Sequence, residues 1–387
     1  MGAALSKGWF VTEFSAVDGK KDRERCGAFG DAARAFRAGI FGDRGEPFDA
    51  MSERLRVAVI GCGNRGREHL RGFAADSRAE IVALAEPIPA TAEACRDAFA
   101  PEARLFAEPE ALLAEMRPDI VVIALWPHLH LPVFAASIDA GARAVLCEKP
   151  IAPTWRDCVA MGQLAETRGV QLTFCHQRRF AAGNRRVRQL LAEGRFGTLQ
   201  RMDLYSPMHL LDCGTHSVDQ ALSFNGESPG VWVHGAVDVS ETIDWFGVRA
   251  ETMATGLIHF ANGVQATLRT GKTDMDLWGG VRAIGTDGFI EVFWDGQIRR
   301  AVVYSDPTWA PPPDTDDPSA QMAAVVQNAL DCLESGDEPE LSHRKALRAA
   351  EILFGLYESA VARQRVDLPL PPDLGHPLHD LLDWHRS

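Results

Sequence analysis

A turn built from three glycines constrains this chain more than any other feature. Gly61-Cys62-Gly63-Asn64-Arg65-Gly66 follows a short apolar run at residues 56–60 and opens a helical stretch. In that strand–turn–helix setting Gly61 permits the tight turn, Gly63 lets a pyrophosphate approach the backbone, and Gly66 lets the helix lie close on the strand. Unpaired N–H groups at the helix start then face an anion. Glycine-rich turns are common, so the reading leans on a second residue. Glu86 closes the next apolar run, 25 residues past Gly61. An acid there accepts hydrogen bonds from both ribose hydroxyls of an adenosine and repels a 2′-phosphate. The two features predict a dinucleotide site that takes NAD in preference to NADP. The plainer alternative for Glu86 is a solvated loop carboxylate, and nearby arginines can override a single acid.

Around that turn the chain alternates. Apolar runs at 56–60, 81–85, 120–125 and 144–147 are separated by helical stretches such as 110–116 and 132–140. This pattern predicts a parallel sheet covered by helices. A helix over 154–167, capped by Thr154 with Asp157 three residues on, leads to a strand over 170–175. Past Gln177 the texture changes. A helix over 185–193 stops at Gly194, and strand-like segments follow at 231–239, 252–260, 264–270, 281–284 and 289–293. Asn262-Gly263 and Asp287-Gly288 sit where tight hairpins want them. A Pro/Asp-rich loop at 311–318 precedes helices over 321–334 and 343–363. The expected class is therefore α/β: an N-terminal Rossmann domain with a parallel sheet (51–176), then an α+β domain with a mainly antiparallel sheet and helices on one face (177–387). Residues 1–50 have no steady periodicity and precede an internal Met51, so they are expected to be a disordered tail or a mis-assigned start. A short amphipathic helix over 32–41 keeps a functional extension open.

Composition removes several functions. The formal net charge of -13 disfavours nucleic acid and anionic membrane as partners. No apolar run reaches the roughly 18 residues of a membrane-crossing helix, and the N-terminus has no apolar signal core. The 8 cysteines, Cys26, Cys62, Cys95, Cys147, Cys158, Cys175, Cys213 and Cys332, form no C-x-x-C pair and have no zinc-ligand spacing with a histidine. No metal is expected, and the thiols suit a reducing, cytoplasmic setting.

Two further segments carry chemistry. Cys147-Glu148-Lys149-Pro150 ends a strand at the edge where open parallel sheets bind ligands. A lysine there stabilises charge developing on a substrate oxygen. In Asp212-Cys213-Gly214-Thr215-His216-Ser217-Val218-Asp219, a helix would set Asp212, His216 and Asp219 on one face. A histidine flanked by carboxylates can be oriented, and its basicity raised, as a general base requires. Singly, Lys149 also reads as a surface lysine and His216 as a core histidine.

In this order the motifs resemble the Gfo/Idh/MocA family of sugar and cyclitol oxidoreductases, over nearly all the chain from Arg56 onward. Minor echoes are His130, Arg178, the stretch from Glu193-Gly194 to Gly197, Gly285-Thr286-Asp287-Gly288 and Asp367-Leu368-Pro369-Leu370. The resemblance implies that His216 takes the proton of a substrate hydroxyl while the carbon gives hydride to NAD. Asp212 would orient His216 or bind a neighbouring hydroxyl, and Lys149 would hold the reacting oxygen. Asn64, Arg65, Trp126, Pro127, His130 and Glu148 are expected with Gly61, Gly63, Gly66 and Glu86 at the cofactor, and Arg178, His209 and Asp219 at the substrate. A cis peptide before Pro150 is expected. The chain departs from the family at Leu125-Trp126-Pro127, where Thr-Pro is frequent; at Ser206-Pro207-Met208-His209, where glycines are frequent; and at Gln177, where Asn is common. Trp126 could stack on a ligand or pack in the core, and His209 could touch substrate or be an ordinary loop histidine. The leading expectation is NAD-dependent oxidation of a secondary hydroxyl on a sugar, cyclitol or related polyol, by a homo-oligomer paired through the C-terminal sheet. An NAD-assisted glycosidase and a non-catalytic dinucleotide or sugar sensor are the alternatives.

Overall fold

In the computed structural model, residues 54–271, 279–311 and 320–384 are described. The expected leader with its 32–41 helix, and most of the 311–318 loop, lie outside them. Strands β1 (Leu55–Ile60), β2 (Ala79–Ala85), β3 (Arg104–Phe106), β4 (Ile120–Ile123), β5 (Ala144–Cys147) and β6 (Gln171–Phe174) form one sheet in the order β3-β2-β1-β4-β5-β6. Every neighbouring pair is parallel. Alternate residues of a strand point to opposite faces, and here both faces are covered. Ala58, Ile60, Val121 and Ile123 enter one core with helices α3 (Pro109–Met116), α4 (His130–Asp139) and α5 (Trp155–Arg168). Val57, Val59, Ile120 and Val122 enter the other with α1 (Asn64–Ala74) and α2 (Pro89–Phe99). This is why the four residues of β4 read as an unbroken apolar run. Strand order reverses between β1 and β4, which opens a crevice at their carboxyl ends.

Local signals set most boundaries. Thr154 accepts the Asp157 N–H at 3.1 Å at the start of α5, and Gly169, with φ +64°, ends it. β4 stops at Ile123 rather than at 125, and α4 begins at His130, two residues before its expected start.

The second sheet combines β7 (Leu199–Ser206), β8 (Gly230–Trp245), β9 (Val248–Phe260), β10 (Gln265–Gly271), β11 (Gly280–Gly285), β12 (Gly288–Phe293), β13 (Ile298–Val303) and β14 (Val366–Asp367). Their order is β13-β12-β11-β7-β10-β9-β8-β14. Neighbours are antiparallel except β7 and β10, which run parallel. Asn262-Gly263 lies between β9 and β10 as expected, whereas the β11–β12 turn is Thr286-Asp287, one residue before the expected pair, and Gly288 already belongs to β12. Helices α6 (Ala182–Ala192), α7 (Thr215–Phe224) and α9 (His343–Ala362) accompany this sheet. A Cβ on Gly256 would stand 2.4 Å from the Leu356 side chain, so the glycine lets α9 lie close on the strands. Helix α8 (Ala320–Ser335) belongs by sequence to the second half, yet Met322, Val325, Val326 and Leu330 pack in the core beneath α1. Residues from Glu53 onward make one compact unit. No described helix is long and apolar enough to cross a membrane.

Candidate active site

The glycine turn is shaped by contact. A Cβ on Gly61 (φ +93°) would stand 2.3 Å from the Ala124 carbonyl oxygen, and one on Gly66 would stand 1.9 Å from that of Gly61. A Cβ on Gly63 would meet nothing within 4 Å, which leaves its backbone open to a ligand. Gly63 is the extended residue before α1, no side chain caps that end, and the first turn carries no acid. Its N–H groups are therefore available to a pyrophosphate. Glu86 stands across the turn, its carboxylate accepting the Cys62 N–H at 2.9 Å and the Ile88 N–H at 3.1 Å. These features fit a dinucleotide.

Arg65 turns toward the second motif. Its Nε donates to Glu148 Oε1 at 3.0 Å, and its NH2 approaches Cys175 Sγ at 3.6 Å. His69, one helical turn further along α1 and fully buried, meets the same Glu148 oxygen at 3.0 Å. Burial alone would raise the Glu148 pKa; the His69 bond and the Arg65 charge outweigh it and hold the carboxyl at about 2. Three atoms of His69, Glu148 and Cys175 lie within 4.8 Å of one another, the usual look of a metal cage. The Arg65 cation already occupies that role.

The Lys149–Pro150 peptide is cis, as expected. His130 lies buried between the loops after β4 and β5, its Nδ1 at 3.1 and 3.0 Å from the Pro150 and Ile151 carbonyls and its Nε2 at 3.1 Å from that of Leu125. It links the two loops rather than facing the crevice. Pro127 is buried, whereas the neighbouring Trp126 is exposed, its ring 6.1 Å from Phe246 at the β8–β9 tip. Asn64 is exposed beside Gly63 at the start of α1.

The second half supplies the partner of Lys149. Residues Leu210–Gly214 form a π-helical turn that runs into α7. Lys149 Nζ donates to Asp212 Oδ1 at 2.6 Å and to the Asp212 carbonyl at 3.0 Å, and it lies 5.8 Å from the Trp245 ring. Glu251, fully buried on β9, accepts the Leu210 N–H at 2.7 Å and the Tyr357 hydroxyl at 2.8 Å, which pins the turn. His209 Nδ1 accepts the Asp212 N–H at 3.3 Å, and its ring stands edge-on to Trp245 at 4.8 Å. Burial, and then the Lys149 charge against the opposing pull of Asp212, bring the His209 pKa down to about 4.

His216 sits in the first turn of α7, 5.7 Å from the His176 ring and 5.8 Å from Trp294. Its Nδ1 has no hydrogen-bond partner among the described residues. Burial lowers its pKa well below the ordinary 6.5, and Lys149, His176, Arg178 and Arg65 each oppose a further positive charge. The ring is therefore neutral at about neutral pH. Asp212 and His216 lie four residues apart, one on the π-helical turn and the other on the first turn of α7. Asp219 does not join them: both its oxygens bond Arg179 at 2.8 Å, with the pair almost wholly buried. Arg179 is also bonded to Glu227 and Glu340, which makes a buried clamp under α7 instead of a substrate contact. Arg178, the preceding residue, lies with its guanidinium 5.8 Å from the Trp294 ring.

Sequence reasoning did not single out His69, His176, Trp245, Trp294 or Glu251 as site residues. His69 could have been found four positions after Arg65 on the same helix face. Nothing local marks Trp245 and Trp294, which arrive through long-range strand pairing.

A family model described as an oxidoreductase family with an NAD-binding Rossmann fold matches residues 55–176, and one described as the GFO/IDH/MocA C-terminal domain matches residues 154–291. D-apiose dehydrogenase of Paraburkholderia graminis is 27% identical over 347 residues, which is 82% of this chain and 90% of that protein. Inositol 2-dehydrogenase of Paracoccus denitrificans is 35% identical over 143 residues, 36% of this chain and 42% of that protein. Among solved structures, the WlbA dehydrogenase from Bordetella pertussis in complex with NADH and UDP-GlcNAcA has a TM-score of 0.70 and 22% identity, covering 83% of this chain and 99% of that one. That likeness is one of fold.

Proposed function

The chain belongs to the Gfo/Idh/MocA family of oxidoreductases, and from that premise we propose that it oxidises a secondary hydroxyl of a sugar, cyclitol or related polyol with NAD as cofactor. The observation that carries the proposal is the Lys149–Asp212 pair just past the carboxyl end of β5, with Lys149 near enough to His216 to oppose its protonation. Gly61, Gly63, Gly66, Asn64 and the start of α1 hold the pyrophosphate, Glu86 holds the adenosine ribose, and Trp126 with Pro127 borders the nicotinamide. When bound, that group accepts the hydride.

The chain's own residues do the rest. His216 is neutral, so it has a lone pair with which to take the hydroxyl proton as the carbon is oxidised. Lys149 keeps a charged donor beside the reacting oxygen, where negative charge develops. Asp212 grips Lys149 through two oxygens and so fixes where that donor points. Arg65 and His69 hold Glu148 from the cofactor helix, which ties the lysine's neighbour to the phosphate turn. D-apiose dehydrogenase and inositol 2-dehydrogenase, the relatives named above, support a polyhydroxylated substrate. The free cysteines favour a cytoplasmic setting. Leu257 and Met253 are exposed on β9, which favours pairing of copies through the second sheet.

The test is NADH formation by the purified protein given NAD and a panel of sugars, cyclitols and their acids. Turnover on a panel member that His216→Ala lacks is expected. Tight NAD binding without NADH from any member would overturn the proposal in favour of a glycosidase or a sensor.

A further inference from the structure

One cation of the cleft lacks a close partner. Lys149, Arg178 and Arg65 all lie near enough to His216 to oppose its protonation. Lys149 is matched by Asp212 at 2.6 Å and Arg65 by Glu148 at 3.0 Å. Arg178 has no carboxylate within ion-pair distance among the described residues, and its Nε is buried with no hydrogen-bond partner. Its neighbour in sequence is treated in the opposite way, since Arg179 is bonded to Asp219, Glu227 and Glu340. A guanidinium partly taken out of water without a close counter-ion is costly, and the cost is relieved when an anion docks on it.

We propose that Arg178 recognises a carboxylate on the substrate, so that the enzyme acts on a sugar acid or polyol acid rather than on the neutral polyol. This rests on the dehydrogenase reading above and names the substrate class for the same site. Reach supports it. The Arg178 guanidinium and the His216 ring each lie 5.8 Å from the Trp294 ring, which brings both groups to one indole, within reach of a single sugar acid. With Asp212 and Glu148 answering Lys149 and Arg65, Arg178 is the cation without a close partner, Asp295 acting on it only from beyond ion-pair distance. A substrate carboxylate supplies that partner. The planar guanidinium fork also matches a carboxylate in a two-bond geometry.

The experiment compares aldonic and uronic acids with their methyl esters and parent sugars, using NADH formation with the wild-type protein, Arg178→Met and Arg178→Lys. The acid is expected to exceed its ester in kcat/KM by about 10²-fold or more in the wild type, because a site built for a charged partner rejects the analogue lacking it. Arg178→Met is expected to lose that preference chiefly through KM, with Arg178→Lys between the two and NAD affinity held within about twofold. Equal use of acid and ester by the wild type would overturn the proposal without any variant. So would loss of NAD affinity in Arg178→Met, which would assign the arginine to the cofactor, or better use of a sugar phosphate than of the acid. If no compound yields NADH, the dehydrogenase reading fails separately. Calorimetric binding of the acids to the NADH-loaded protein then decides: binding lost in Arg178→Met upholds the carboxylate site, and none in the wild type overturns it.

Discussion

At the scale of single residues, groups of similar chemistry sit in opposite environments. Glu148 is buried but held ionised by Arg65 and His69, whereas Glu251 is buried with no cation, and burial raises its pKa. His216 shows how this bears on catalysis. A general base works only when unprotonated, and burial, then Lys149, His176, Arg178 and Arg65, push its pKa well below 6.5. The acid limb of kcat/KM should therefore lie well below 6.5; a limb at the ordinary histidine value would contradict His216 as the base. Glu86 is expected to set cofactor choice. Glu86→Ala should weaken NAD by about 10- to 100-fold, as loss of hydrogen bonds to a charged acceptor does, and relax discrimination against NADP. Unchanged affinity for both, measured by fluorescence titration, would remove Glu86 from the ribose site. The glycine turn, Glu86 across it and the Lys149–Asp212 pair lie in segments that each have a local signature in the sequence. Asp219 was not placed correctly by helical spacing: the same helix that presents His216 turns Asp219 into the Arg179 clamp.

At the scale of elements, the active-site turn depends on a strand and a helix remote in sequence. Glu251 on β9 and Tyr357 on α9 together hold Leu210, the first residue of the π-helical turn that carries Asp212. Glu251→Ala leaves the Leu210 N–H without its acceptor in a dry interior and should cost about 1–3 kcal/mol. Urea unfolding should show that loss and steady-state kinetics a lower kcat; unchanged stability would mean that the turn is held elsewhere. Elements with strong periodicity were readable. β4 is continuously apolar, and α5 carries its own cap and glycine stop. β7 was missed because its buried face is mixed: Met202 and Leu204 share it with the exposed Gln200 and the polar Ser206, while Arg201 and Asp203 line the other face. Yet β7 is central, pairing with both β10 and β11. β8 was read as ending at 239 but runs to Trp245, because the polar Glu241 and Asp244 face outward on a hairpin arm whose tip returns to the crevice.

At the scale of the whole molecule, buried and half-buried neutral histidines tie stability to pH. His130, His176, His209, His216, His343 and His376 all have pKa values lowered, with burial as the leading cause. Below about 6.5 the unfolded chain takes up protons that the folded chain refuses, so stability falls as pH falls, for His209 down to about 4. Glu251 and Glu351, raised by burial, pull the other way but are fewer. Tm should be lower at about pH 5.5 than at about pH 7.5; a flat or rising Tm would contradict the burial of these rings. The two-sheet plan was legible in the shift from strand–helix alternation to hairpins. The return of α8 to the first core was not, since an amphipathic helix does not state which sheet it covers. The central claim is that Lys149 serves the substrate and not the cofactor, and Lys149→Ala tests it most directly through turnover and NAD affinity measured on one preparation. The account predicts that kcat falls by about 10²–10³-fold, as when a donor to a developing oxyanion is removed, while the NAD dissociation constant changes by less than about threefold. Retained turnover, or NAD binding lost in step with it, would contradict it.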